Sequence, residues 1–430
     1  MRPWTYLALG LLLALLTGCG GGNSTETTLV GPGGGGVVSQ GQVASVDQPT
    51  GPNTADLVVD TGPSTGFALG VANVLYTTVT ICEPGSATAC VTVDHVLVDT
   101  GSIGLRLLRS STSSLKLPAQ TAPNGREVAE CYPFVVGAIW GPVARADVRL
   151  GGELASELPV QLIDDATPQR FAAPPDCVAS ANGSLLASVT SLQANGILGL
   201  GQVRYDCGLR CQSGNYVGSA AVYDSCSSAG CQPTALPTNQ QVAQPVARFA
   251  QNNNGTLIIL PKLPATGVAV AKGRLVFGIG TQSNNQLETA TQVIHLGTDP
   301  AAANYLYLTT TVDGQSFGQS YVDSGSNAFF FADASLSSKC AGGGSRWYCP
   351  SKATTLSARL SDSSGASASV SFDIVNADGL FGSGNVAFSN LGASTTADVF
   401  VWGLPFFYGR KVYTSIWGQP LAADGPWIAF

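Results

Sequence analysis

Val96-Leu97-Val98-Asp99-Thr100-Gly101-Ser102 and Tyr321-Val322-Asp323-Ser324-Gly325-Ser326 repeat one pattern, a short apolar run ending in Asp-Thr/Ser-Gly-Ser. Each copy continues into further apolar residues: Ile103, Leu105, Leu107 and Leu108 after the first, Ala328, Phe329, Phe330 and Phe331 after the second. About 80 to 100 residues on, each is followed by two apolar residues and a glycine, Ile197-Leu198-Gly199 and Val401-Trp402-Gly403. Two elements recurring in the same order mark a duplicated unit, a far more specific signal than a lone Asp-Thr-Gly. Gly101 and Gly325 let the backbone turn tightly behind each aspartate. Asp99 and Asp323 are therefore expected to be presented by matched loops.

The rest of the chain reads as β-structure. Charged residues make up 11% and there are 52 glycines, and no sustained helical periodicity runs through the sequence. Val71–Cys82 and Val91–Val98 read as a hairpin around Glu83-Pro84-Gly85-Ser86. Ala146–Leu150, Leu257–Leu260, Arg274–Phe277, Tyr305–Val312 and Ser367–Val375 read as further strands, and Gln241–Ala250 as the best helix candidate. The fold class expected is all-β, and the length suffices for two barrel-sized units.

These motifs resemble the two catalytic loops of the pepsin family of aspartic peptidases. Asn195-Gly196-Ile197-Leu198-Gly199-Leu200-Gly201 is similar to the strand crossing the first loop, and Gly273-Arg274-Leu275-Val276-Phe277-Gly278 to a strand near the lobe junction. Val401-Trp402-Gly403-Leu404-Pro405-Phe406-Phe407 with Val412-Tyr413-Thr414-Ser415-Ile416 is similar to the final strand pair. The likeness spans roughly Val71 to Phe430. It implies a bilobal double β-barrel with an active-site cleft, an N-terminal lobe over 61–265 and a C-terminal lobe over 266–430. It also implies that Asp99 and Asp323 are catalytic. The hydroxyls of Thr100 and Ser324 would reach across to the opposite loop, and Ser102 and Ser326 would bond the outer carboxylate oxygens. Two carboxylates about 3 Å apart cannot both ionise, so they share a proton. The ionised one would act as base on a water while the protonated one polarises a peptide carbonyl. Neither metal nor cofactor is implied, and the partner would be a peptide or an unfolded protein, bound by a monomer. In the family a Tyr-Gly pair on a flap hairpin covers the first aspartate. No Tyr-Gly occurs between Tyr132 and Leu150, where Phe134 or Trp140 falls near the expected tip with Tyr132 beside it. The alternative reading is a catalytically inactive protein of the same fold that binds peptides or a protein partner.

The N-terminus sets the compartment. Arg2 precedes an apolar stretch, Tyr6 to Leu16, too short for a membrane span of about 20 residues. It leads into Leu16-Thr17-Gly18-Cys19, which resembles the lipobox of bacterial lipoproteins. The resemblance implies cleavage after a leader of residues 1–18, lipidation of Cys19, and a membrane-anchored envelope protein. Gly20 after the cysteine favours the outer over the inner membrane. Residues 19–60, with Gly31-Pro32-Gly33-Gly34-Gly35-Gly36, read as a flexible tether. The whole layout is also similar to an uncharacterised family of bacterial lipoproteins.

Of 11 cysteines, setting Cys19 aside leaves an even number, which fits five disulfides in an oxidising compartment. Cys82 with Cys90 and Cys340 with Cys349 are local pairs. Cys207, Cys211, Cys226 and Cys231 read as two nested bridges, with zinc the competing reading, and Cys131 with Cys177 remains by elimination. A net charge of −7 disfavours nucleic-acid binding. His95, directly before the first apolar run, reads as a strand side chain satisfied by its neighbours.

Overall fold

The computed structural model describes residues 42–63, 71–166, 168–180, 185–214, 222–289, 291–299, 306–336, 340 and 346–430. The leader, Cys19 and the glycine run at 31–36 lie outside the described residues.

The protein is all-β. In the first half the strands are β1 (Val43–Ser45), β2 (Thr54–Val59), β3 (Tyr76–Cys82), β4 (Cys90–Asp99), β5 (Ile103–Leu108), β6 (Glu127–Phe134), β7 (Gly137–Leu150), β8 (Glu153–Ile163), β9 (Gly196–Leu200), β10 (Tyr223–Ser227) and β11 (Gly230–Pro233). The second half adds β12 (Gly255–Ile259), β13 (Val270–Phe277), β14 (Val293–His295), β15 (Leu308–Val312), β16 (Gln315–Val322), β17 (Phe329–Phe330), β18 (Thr354–Ser361), β19 (Ser367–Ile374), β20 (Gly392–Ala393), β21 (Val399–Trp402), β22 (Lys411–Ser415) and β23 (Trp427–Ala429). One large sheet runs from β11 through the first-half strands to β2, β13, β12, β22, β23 and β14. A second sheet of seven strands holds β15 to β21. The β12–β13 hairpin therefore joins the two halves, pairing β2 on one side and the C-terminal β22 on the other.

Both halves share a local topology. β4 pairs in parallel with β9, bringing Asp99 opposite Gly199, and β5 returns antiparallel along β9. Likewise β16 pairs in parallel with β21, bringing Val322 opposite Trp402, and β17 returns antiparallel along β21. The glycine that ends each Ile-Leu-Gly or Val-Trp-Gly run is needed where the chain passes over the loop. A Cβ on Gly199 would lie 2.6 Å from the Ile103 backbone, and one on Gly403 would lie 2.1 Å from the Ala328 carbonyl oxygen.

Packing follows the alternation of each strand. In β18 and β19 every second residue enters the core, while β5 and β9 are buried on both faces, Leu105, Leu107, Leu198 and Leu200 packing in one apolar cluster and Leu108 and Ile197 in another. The second half is anchored by an aromatic cluster of Phe329, Phe331, Phe372, Phe400, Trp402 and Phe406. The buried Trp402 indole N–H donates to Thr310 Oγ1 at 2.9 Å, so its polar atom is satisfied.

Three expectations are corrected here. Residues 43–59 are not tether: β1 and β2 both pair with β13, and Leu57 and Val59 are buried in the core. The alternating apolar positions of Ala55-Asp56-Leu57-Val58-Val59 outweigh the glycine-rich context before them. Gln241–Ala250 is not a helix but lies around two short 3₁₀ turns, Thr238–Gln240 and Val246–Arg248. Pro245 removes a backbone donor in its middle, and Gln241 instead donates its side-chain amide to the Gly208 and Leu236 carbonyls. The bridges at 207–231 are consecutive rather than nested, Cys207–Cys211 and Cys226–Cys231. Cys226 and Cys231 face each other across the β10–β11 hairpin, so their register pairs them, and the thiols are consumed in disulfides rather than offered to zinc. Cys82–Cys90, Cys131–Cys177 and Cys340–Cys349 form as expected.

A buried aspartate pair at the junction of the two halves

Asp99 ends β4 and Asp323 follows β16, and the structure brings the two carboxyl groups into hydrogen-bond contact. Each sits in the same cradle. The Gly101 N–H donates to Asp99 Oδ1 at 2.8 Å and the Ser102 hydroxyl donates to Asp99 Oδ2 at 2.5 Å. In the other loop the Gly325 N–H donates to Asp323 Oδ1 at 2.8 Å and the Ser326 hydroxyl to Asp323 Oδ2 at 2.6 Å.

The loops are locked to each other by their middle residues. The Ser324 N–H donates to Thr100 Oγ1 at 2.9 Å and the Thr100 N–H donates to Ser324 Oγ at 3.1 Å. The two hydroxyls then donate onward, Thr100 to the Val322 carbonyl at 3.3 Å and Ser324 to the Val98 carbonyl at 2.7 Å. Thr100 and Ser324 thus each bond the opposite half through both backbone N–H and hydroxyl, and this holds the carboxyls in one geometry. Six of the expected site residues (Thr100, Gly101, Ser102, Ser324, Gly325 and Ser326) are accounted for by these bonds.

Neither aspartate has exposed surface. Burial pushes both carboxyls up. For Asp99 this is opposed by hydrogen bonds from Asp323, Ser102 and Gly101 and by the charge of Arg106. For Asp323 the Asp99 charge adds to burial, so Asp323 lies well above the ordinary carboxylate range. Two carboxyls in contact titrate as one pair, in two steps that belong to both.

Arg106 and its partners were not singled out in the sequence. Arg106 is fully buried in β5, and its Nη2 lies 2.7 Å from Glu130 Oε1 on β6 and 2.9 Å from Asp206 Oδ2 after β9. Its Nη1 donates to the Ile103 carbonyl, directly after the first aspartate loop. Tyr223 on β10 donates to Asp206 Oδ1 at 2.7 Å. The available signal was a cation at the centre of Ile103-Gly104-Leu105-Arg106-Leu107-Leu108, because a charge in a wholly buried strand requires a partner.

The three hairpin candidates separate. The β6–β7 hairpin turns at 135–136, and Val135 at its tip is 46% exposed. The Arg106 guanidinium stacks 3.7 Å above the ring of Tyr132, which itself meets Phe134 edge to face. Phe134 is buried in a cluster with Leu108, Ile139 and Ile163. Trp140 lies on the other face, beside the Cys131–Cys177 bridge, with its N–H on the Phe171 carbonyl at 2.8 Å. Trp140 is therefore corrected: it sits opposite Cys131, one residue out of phase with the Tyr132–Ile139 pair. His95 is set apart from the pair, with Nδ1 2.7 Å from Asp94 Oδ2 and Nε2 3.3 Å from Asp60 Oδ2.

A further buried carboxyl makes stability pH-dependent. Burial, with the Asp176 charge adding, pushes Asp224 on β10 from 3.8 up to about 7. A raised value in the folded state contributes stability that is complete below about pH 3.8 and is lost as pH rises through about 7. Asp224→Asn is expected to leave the melting temperature little changed at pH 3.5. At pH 8 it should raise stability by on the order of 2–4 kcal/mol. Equal shifts at both pH values in thermal melts would contradict this origin.

Fold and site together define a disulfide-bridged all-β protein with a hydrogen-bonded aspartate pair at the crossing of two duplicated strand units. The chain belongs to the family described as protein of unknown function DUF3443, which matches residues 49–430. No curated protein matches it.

Proposed function

We propose that the protein is an aspartic endopeptidase, hydrolysing peptide bonds with a water activated between Asp99 and Asp323. The observation that carries this reading is the reciprocal pair of bonds between Thr100 and Ser324, which fixes two like carboxyls against each other. A purely structural aspartate cap needs neither a second carboxyl in contact nor a duplicated cradle. The ionised member takes a proton from water. The protonated member donates to the carbonyl oxygen of the scissile bond, and the developing charge is met within a site already shaped for it. Because Asp323 is pushed up, its acid form persists above the ordinary carboxylate range, and activity is expected to extend over mildly acidic pH.

The same reading takes the fold as a bilobal, pepsin-like double barrel with lobes over 61–265 and 266–430. The matching β4–β9–β5 and β16–β21–β17 units support it. Access to the pair then requires the β6–β7 hairpin to lift. We place the protein in the cell envelope, held by a lipid on Cys19, with the outer membrane as the anchoring side. The support is the sequence Leu16-Thr17-Gly18-Cys19 together with five disulfides.

The complete burial of both carboxyls favours a second reading, an inactive envelope protein that holds a peptide or protein partner. A statine-type inhibitor, whose hydroxyl takes the place of the attacking water, separates the two. Calorimetry at pH 4.5 is expected to show one molecule bound by the wild type and none by Asp99→Asn. Absence of binding by the wild type from pH 3 to 6 would favour the second reading.

A further inference from the structure

The duplicated units are superimposable in register, which makes their one large chemical difference visible. Arg106 lies seven residues after Asp99 and opposite Ile197 on β9. Phe330 lies seven residues after Asp323 and opposite Val401 on β21. Ile197 and Val401 each stand two residues before the glycine that passes the aspartate, so Arg106 and Phe330 occupy the same place in the two halves. One half buries a guanidinium there and the other a phenyl ring.

We propose that Arg106 is a positioning residue that makes the two aspartates unequal, assigning the negative charge of the pair to Asp99 and the shared proton to Asp323. The proposal rests on the hydrolytic reading above and deepens it by naming the base and the acid. The groups facing Asp99 are Asp323, the Ser102 hydroxyl, Arg106 on β5, Tyr132 on β6 and Tyr321 on β16. Among them only Arg106 is a cation. Its own surroundings are Glu130, Asp206, Tyr132 and Tyr223. Burial and the Glu130 charge push Asp206 well up. The charge of Arg106 pulls Asp99 down, whereas Asp323 is acted on by Asp99, Ser326 and Gly325 and, like Asp99, lies beside Tyr321, with no cation among these groups. Glu130 and Tyr132 both belong to the β6–β7 hairpin, and the Ile103 carbonyl belongs to the aspartate loop. Arg106 therefore also ties the hairpin to the loop it would cover.

The test reads the carboxyls directly, without turnover. Protein labelled with ¹³C in aspartate carboxyls is titrated by NMR, with Asp99→Asn and Asp323→Asn assigning the signals. In the wild type the lower step of the pair should move chiefly the Asp99 signal and the upper step the Asp323 signal. Asp323 titrating first would overturn the proposal. Arg106→Met alone leaves Glu130 and Asp206 buried without a cation, so the variant used is the neutral triple Arg106→Met, Glu130→Gln, Asp206→Asn. In it the lower step is expected to rise by about one pH unit. Arg106→Lys, which keeps the charge, should hold the lower step in place. An unmoved lower step in the folded triple variant would also overturn the proposal, since a purely structural arginine leaves the titration alone. If the wild type neither cleaves nor binds inhibitor, the hydrolytic reading fails while the titration order still decides the role of Arg106.

Discussion

Asp99→Asn is expected to lower cleavage of an unfolded protein by about 10⁴-fold or more, because residues acting as one unit lose nearly all their effect together. The amide keeps the shape of the side chain, and its oxygen can still accept from Gly101, while its NH₂ in place of Oδ2 can only donate to the Ser102 oxygen. It cannot take a proton from water, and its NH₂ has no base character to replace the carboxylate. Asp323→Asn should cost as much, for the complementary reason that the group polarising the carbonyl is lost. Stability separates this from misfolding. Both folded-state values are raised, so the stability linked to them is complete below about pH 3.8 and is lost as pH rises through the folded values. Removing one carboxyl should therefore leave the melting temperature the same or higher at pH 7 while abolishing turnover. Product peptides counted by mass spectrometry over pH 3 to 6 provide the readout. Turnover by Asp99→Asn within tenfold of the wild type would rule out Asp99 as the base.

The second large effect is expected from a single methyl group. A Cβ on Gly101 would lie 2.8 Å from both Cγ and Oδ1 of Asp323. The loops cannot simply move apart, because Thr100 and Ser324 hold each other through both backbone N–H groups. Gly101→Ala must either separate the carboxyls or break those bonds. Overpacking of this kind costs about 1–3 kcal/mol of stability. Misplacement of the reacting groups by a fraction of an ångström to 1 Å should lower turnover by about 10²-fold. The variant is expected to remain folded with a lowered melting temperature and to lose inhibitor binding. Unchanged inhibitor affinity in a folded Gly101→Ala protein would mean that the two loops are not held against each other as described.

Much of the site was legible because duplication writes the same local chemistry twice. Asp99 and Asp323, their glycines and their hydroxyl partners all stand in contiguous motifs whose bonds are local or run between the copies. The strand repeat at Ile197-Leu198-Gly199 and Val401-Trp402-Gly403 could be read for the same reason, since close crossing leaves no room for a Cβ. The Arg106 cluster was not legible in this way. Glu130 and Asp206 are 24 and 100 residues from Arg106, and no short motif links a buried cation to partners at such distances. Its one trace, an arginine inside an apolar strand, shows that a partner exists without saying which. Connectivity of Cys207, Cys211, Cys226 and Cys231 depended on the β10–β11 register, which composition cannot give. At the N-terminus, glycine-rich composition concealed β1 and β2, whose order comes from pairing with β13 more than 200 residues away. Burial of the aspartates, too, is a property of the assembled halves and of no single segment.

The central claim is that Asp99 and Asp323 act as one water-activating pair. The most direct measurement is cleavage of an unfolded protein by the purified wild type and by the Asp99→Asn, Asp323→Asn double variant, from pH 3 to 6, with and without a statine-type inhibitor. Acid-dependent cleavage that the inhibitor blocks and the double variant lacks is the expected result. Undiminished cleavage by the double variant would contradict the account.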